Sequence, residues 1–301
     1  MTEAVVGEVI VPNEPQRPDW IKPLNEKPKW LNILAYGDPG AGKTVLGASA
    51  ENDPRTSPIL FCDVEGGTLS ISDRGIDTVR MAAFPAWQHI YDYLKNGTHP
   101  YKTVVFDSLT EIQKLSMRDI MRTAALTNPA RDGDMPQIGE WGKNIEQIRT
   151  FVRAFRDLPM NVVFTALAMD VKDESSGAIA TKPSLSGKLA DETAGFMDMV
   201  IRMYTRPNPE KNEDGSEKPE IHVAQFRPVG RYIAKLRMPE PVAARFPVAM
   251  DNPSITDIMD LVHGKNVTPV VEEPKKEEPA APTLVAAATA PMATSLMGGN
   301  S

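Results

Sequence analysis

Apolar and polar positions along the chain switch repeatedly between two periods. Four short runs are β-rich and almost continuously apolar: Leu31 to Tyr36, Ile59 to Cys62, Thr103 to Phe106 and Asn161 to Thr165. Runs of this kind predict strands covered on both faces, as in a mainly parallel sheet. Between them, Pro85 to Leu94 predicts a helix. Asn144 to Leu158 predicts another, with Ile145, Ile148, Val152 and Phe155 forming one apolar stripe. Met197 to Met203, Ile221 to Phe226 and Tyr232 to Leu236 read as further strands. A polar loop, Pro207 to Glu220, joins the first two, and Pro228-Val229-Gly230 suggests a hairpin between the last two. The expected architecture is α/β, with a mainly parallel central sheet and a C-terminal β-hairpin.

This alternation fills residues 29–263, the expected folded domain. Residues 1–28 contain several prolines and little periodicity, so they predict a flexible arm. Residues 264–301 are rich in Pro, Ala, Glu and Lys and predict a disordered tail, serving either partner capture or solubility.

The first apolar run delivers the chain into Gly37-Asp38-Pro39-Gly40-Ala41-Gly42-Lys43-Thr44. This is the complete phosphate-loop pattern in its required strand–loop–helix setting. The glycines allow close backbone approach, and the amides at the start of the following helix, including that of Val45, face the phosphates. Lys43 reaches the β- and γ-phosphates, and Thr44 offers its hydroxyl to magnesium. The predicted ligands are ATP and Mg2+, although the motif itself does not separate ATP from GTP.

Later strand ends supply acids. Asp107 closes the run Thr103 to Phe106 and is the expected magnesium carboxylate; Ser108 either joins that shell or caps the next helix. Asp63-Val64-Glu65 closes another run, with Glu65 as the candidate for activating the attacking water and Asp63 as a possible metal support. Thr165, after Val162-Val163-Phe164, is either a γ-phosphate sensor or a buried hydroxyl satisfied by backbone. Phosphoryl transfer also needs positive charge. Lys235 and Arg237, two apart and hence on one strand face, are candidates together with Arg231. They would act at a subunit boundary or form a basic surface. Lys188 is a candidate phosphate or DNA contact, against the plainer reading of a surface lysine.

Charge and composition narrow the setting. A net charge of -7 gives no global footprint for nucleic acid, although local basic patches are compatible with it. The single cysteine, Cys62, excludes an intramolecular disulfide and sits in an apolar run, where a buried thiol is expected. No signal segment or membrane span is apparent in the sequence, so a soluble intracellular protein is expected.

The ordered set of Gly37 to Thr44, Phe61 to Glu65, Val104 to Ser108 and Tyr232 to Arg237 resembles the RecA-like ATPases, especially the phage Sak-type ATPases of single-strand annealing and recombination. The resemblance spans roughly Leu31 to Arg237. It implies a RecA-like P-loop NTPase core, with Glu65 activating water, Asp107 holding magnesium, Lys43 and Thr44 on the nucleotide, and Lys235 and Arg237 sensing nucleotide across a subunit interface. It further implies action on single-stranded DNA, partnership with a single-strand-binding protein, and a homo-oligomeric ring or filament in the cytoplasm of a phage-infected bacterial host. Arg122 to Lys143 and Lys172 to Lys188 are the candidate DNA segments, read as basic loops without dense aromatic interleaving. A helicase or packaging motor, and a nucleotide-controlled scaffold, are the alternatives.

Overall fold

The structure is a computed structural model describing residues 30–264, apart from 129, 131 and 173–176. The expected arm at 1–28 and almost all of the expected tail lie outside the described residues. The first half contains β1 (Asn32–Gly37), α1 (Lys43–Ala48), β2 (Ile59–Asp63), β3 (Asp77–Arg80), α2 (Ala86–Lys95), β4 (Thr103–Asp107) and α3 (Leu109–Thr127). The second half contains α4 (Ile138–Arg156), β5 (Asn161–Lys172), β6 (Ile179–Pro183), α5 (Leu189–Phe196), β7 (Met199–Arg206) and β8 (Ile221–Gln225). It ends with β9 (Lys235–Leu236), α6 (Glu240–Ala243), β10 (Ala249–Asp251) and α7 (Ile255–His263).

The strands form one mixed sheet in the order β10-β8-β7-β1-β5-β4-β2-β3, with β6 on β5 and β9 on β7. From β7 to β3 every neighbouring pair is parallel. Consecutive residues of the central strands enter opposite cores, which explains their continuous apolarity. Leu34, Tyr36, Val104, Phe106 and Phe164 face α2 to α5, whereas Ile33, Ala35, Phe61, Val105 and Val163 join the core containing α1 and α7. On the first face Phe106 meets Phe155 edge-on, with centroids 4.5 Å apart, and stacks on Phe164 at 5.5 Å.

The expected hairpin between Ile221 to Phe226 and Tyr232 to Leu236 does not form. β8 and β9 both pair with β7 instead, β8 along Arg202–Arg206 and β9 on Met199 and Val200. β8 covers only the later part of that edge, so the chain detours and then fills the bare stretch. The two candidate DNA segments are part loop and part regular structure. Arg122 to Thr127 ends α3, residues 138–143 begin α4, and β5 and β6 form an antiparallel ribbon. No helix among the described residues is long and apolar enough to cross a membrane.

Candidate nucleotide-binding site

Parallel register brings the chemistry to one edge of the sheet. Asp63 stands beside Asp107, Phe106 beside Phe164, and Gly37 beside Leu167. The ends of β1, β2 and β4 therefore converge beside the middle of β5. They border a cleft of about 830 Å³ whose walls include Gly40, Lys43, Thr44, Glu65, Arg80 and His222.

The loop from Gly37 to Gly42 depends on all three of its glycines. A Cβ on Gly37 would lie 2.1 Å from the Met203 carbonyl oxygen, and Gly40 and Gly42 have φ +79° and +88°, in the left-handed region. Asp38, Pro39 and Gly40 form the exposed rim, and Ala41 is buried beneath it. Gly42 then turns the chain into α1, whose first residues are Lys43, Thr44 and Val45. Lys43 is buried, and its Nζ donates to the carbonyls of Gly37 at 2.9 Å and Asp38 at 2.8 Å. Burial holds its ammonium below the usual lysine pKa, opposed by the negative charges of Asp107, Glu65 and Asp38.

Asp107 is buried and held by hydroxyls. Thr44 Oγ1 donates to its Oδ2 at 2.6 Å, and Thr165 Oγ1 donates to its Oδ1. Thr165 is fully buried, so its hydroxyl orients this carboxylate from the neighbouring strand. Ser108 serves two elements: its Oγ accepts from the Glu111 amide at the start of α3 and donates to Glu65 Oε1. Glu65 is otherwise exposed to the cleft. Asp63 faces different partners, accepting from the Gly66 amide and from Arg80 Nη1, each at 2.7 Å.

The donor set fits a magnesium nucleotide. Among the described residues no group of three or more His, Cys, Asp or Glu side chains could hold a metal by itself. Magnesium, however, commonly takes one or two protein oxygens and completes its shell with phosphate and water. Thr44 and Asp107, already hydrogen-bonded beside the phosphate loop, match that requirement.

The remaining candidates do not join this cluster. Lys235 Nζ donates to the carbonyls of Ala194, Gly195 and Met197, and Arg237 Nη2 donates to Gly195, so both close the end of α5. They lie beside the early residues of β7, whereas the phosphate loop adjoins its later ones. Arg231 pairs with Asp170, and Lys188 precedes α5. The basic groups that do line the cleft besides Lys43 are Arg80 and Arg118, which the sequence reading missed. Arg80 ends the short, mostly exposed β3, and Arg118 sits seven residues after Glu111 on α3, so neither carries a motif.

Residues 29–238 match the model of a family described as an AAA domain, well over half of the chain. No curated protein matches. Among solved structures, the chain is similar to a prototypical ATPase from the type III secretion system of pathogenic bacteria. That pair is 14% identical with a TM-score of 0.35, over 58% of this chain and 51% of the other, so the match spans about half of that relative. It is also similar to the flagellar accessory protein FlaH from Methanocaldococcus jannaschii, at 11% identity and a TM-score of 0.32, over 65% of this chain and 76% of the other.

Proposed function

The chain belongs to the AAA-domain family of nucleotide-binding, ATP-hydrolysing domains, and from that premise we propose that it is a magnesium-dependent ATPase acting with single-stranded DNA in phage recombination or replication. The observation that carries the enzymatic part is the pair of hydroxyl-held carboxylates, Asp107 on Thr44 and Thr165, and Glu65 on Ser108, at the mouth of one phosphate loop. Bound magnesium supplies charge neutralisation of the polyphosphate. Lys43 adds positive charge, Thr44 and Asp107 hold the metal, and Glu65 accepts a proton from the attacking water. Arg118 stands where further charge on the transferred phosphoryl group can be offset.

The DNA part rests on the Sak-type motif resemblance and on the surface beside the cleft. Lys114 and Arg118 on α3 flank a second groove of about 430 Å³ that Trp141 lines from α4. Cations beside an exposed aromatic ring suit a single strand, through phosphate contact and base stacking. A nucleotide-controlled protein scaffold is the second reading, favoured by the exposed apolar side chains of Leu126 on α3, Met135 in the connection that follows and Ile138 at the start of α4.

One experiment tests both parts: ATP turnover with and without single-stranded DNA, for the native chain and Glu65→Gln. Turnover should require magnesium, rise with DNA, and fall by about 10²-fold or more in Glu65→Gln while ATP binding persists. Unchanged turnover in the variant removes Glu65 from its role. Turnover indifferent to DNA, with no DNA binding, puts the scaffold reading first.

A further inference from the structure

The cleft has a second end that the phosphate chemistry leaves unassigned. Asp107 and Glu65 mark the metal and γ-phosphate end, on the β4 and β2 side of β1. A polyphosphate running along the loop from that end directs its nucleoside the other way, over β7 and β8. β4 and β8 each stand two strands from β1, so the two ends lie on opposite sides of the phosphate loop.

His222 occupies that far end. It lies on β8 opposite Thr205, two residues beyond the β7 residue that pairs with Gly37, and it lines the nucleotide cleft. Its ring presses on the loop: Nδ1 would be 3.0 Å from a Cβ on Gly42. That nitrogen is buried and has no hydrogen-bond partner among the described residues. The backbone around it is clamped. His222 N donates to Asn252 Oδ1 at 3.2 Å, and Asn252 N donates to the His222 carbonyl at 2.6 Å. Asn252 is the single non-glycine residue with positive φ among the described residues, at 43°. The Asn252 clamp thus fixes the backbone of the residue whose ring meets the phosphate loop.

We propose that His222, held by Asn252, is the nucleoside-contacting wall of the cleft, setting the position of the base and ribose relative to the phosphate loop. The imidazole offers a planar face for a base and its other nitrogen, Nε2, for a ribose or base hydrogen bond. The assignment rests on the nucleotide-binding reading of the loop.

Isothermal titration separates the two ends, with ATP and inorganic tripolyphosphate titrated into native chain, His222→Ala and Asn252→Gly. His222→Ala should lose about tenfold in ATP affinity, the size of one good aromatic or hydrogen-bonding contact, with tripolyphosphate affinity unchanged. Asn252→Gly keeps the left-handed backbone and removes the side-chain clamp, so it should show a smaller, equally nucleoside-selective loss. ATP affinity unchanged in both variants, or ATP and tripolyphosphate weakened together, overturns the proposal. ATP binding by the native chain in the same titrations keeps that outcome separate from a failure of nucleotide binding itself.

Discussion

Thr165→Val tests whether the buried hydroxyl acts through Asp107. The substitution keeps the branched shape and removes a donor that is fully buried and bonded to a carboxylate. A hydrogen bond to a charged group contributes about 1.5–3 kcal/mol, and its loss inside a core is not repaid by water. Thermal unfolding should therefore fall by roughly 3–12 °C for a domain of this size. Asp107 would keep only Thr44 as a side-chain hydroxyl partner and lose its orientation toward the metal position. Expressed on the transition state, the same energy is roughly 10- to 150-fold in turnover at limiting magnesium. The assay is a magnesium titration of ATP turnover, paired with ATP binding in EDTA. Half-saturation should move to higher magnesium by at least about tenfold, with metal-free binding nearly unchanged, and Thr165→Ser should restore both stability and magnesium response. A folded Thr165→Val protein with native magnesium half-saturation would refute the reasoning. So would an equal loss of binding in EDTA, because the hydroxyl would then be touching nucleotide rather than holding Asp107.

Lys235→Met should lower stability by about 1–3 kcal/mol, since three carbonyls at the end of α5 lose a cationic donor. ATP affinity of the dilute chain should stay the same; a selective loss of affinity with unchanged melting would place Lys235 on the nucleotide of its own chain and refute the carbonyl-closing role. Cys62 is fully buried, and burial pushes its thiol far above the ordinary cysteine range. It should resist a thiol reagent at pH 8 in native protein and react fully after denaturation; rapid native labelling would contradict the packing of β2.

The central strands were readable because both of their faces are apolar, so no partner had to be known. α3 was not, because its buried side is partly polar: Thr110, Gln113 and Ser116 interrupt the stripe. Their partners lie on distant segments. Gln113 Nε2 donates to Asn144 Oδ1, Asn144 Nδ2 donates to Ser116 Oγ, and the Ser186 amide donates to Gln113 Oε1. For the same reason α4 looked as if it began at Asn144, although it starts at Ile138; its first turn exposes Ile138 and buries Glu140. The phosphate loop was contiguous and therefore legible. The bonds from Ser108 to Glu65 and from Thr165 to Asp107 depend on strand register across more than forty residues, which no local pattern encodes. Lys235 and Arg237 show the opposite difficulty. Their shared face was visible, but which end of β7 they would meet was decided by the length of edge β8 leaves open.

Asp63 and Asp107 end neighbouring strands in register, so position alone does not separate their duties. Their partners do. Arg80 delivers a full positive charge to Asp63, and the Gly66 amide takes its other oxygen, which makes that carboxylate a brace for the turn after β2. Asp107 receives hydroxyls from Thr44 and Thr165, and Glu65 receives one from Ser108. A hydroxyl orients a carboxylate without cancelling its charge, whereas a guanidinium neutralises it. Carboxylates needed for a metal or a proton must retain their charge until the ligand arrives. Away from the cleft, Asp53 is paired with Arg55, which also reaches Asp260 on α7, and Glu192 on α5 is paired with Arg149 on α4. At the cleft, the donor facing each acid therefore separates Asp63, the brace, from Asp107 and Glu65, the two candidate functional carboxylates.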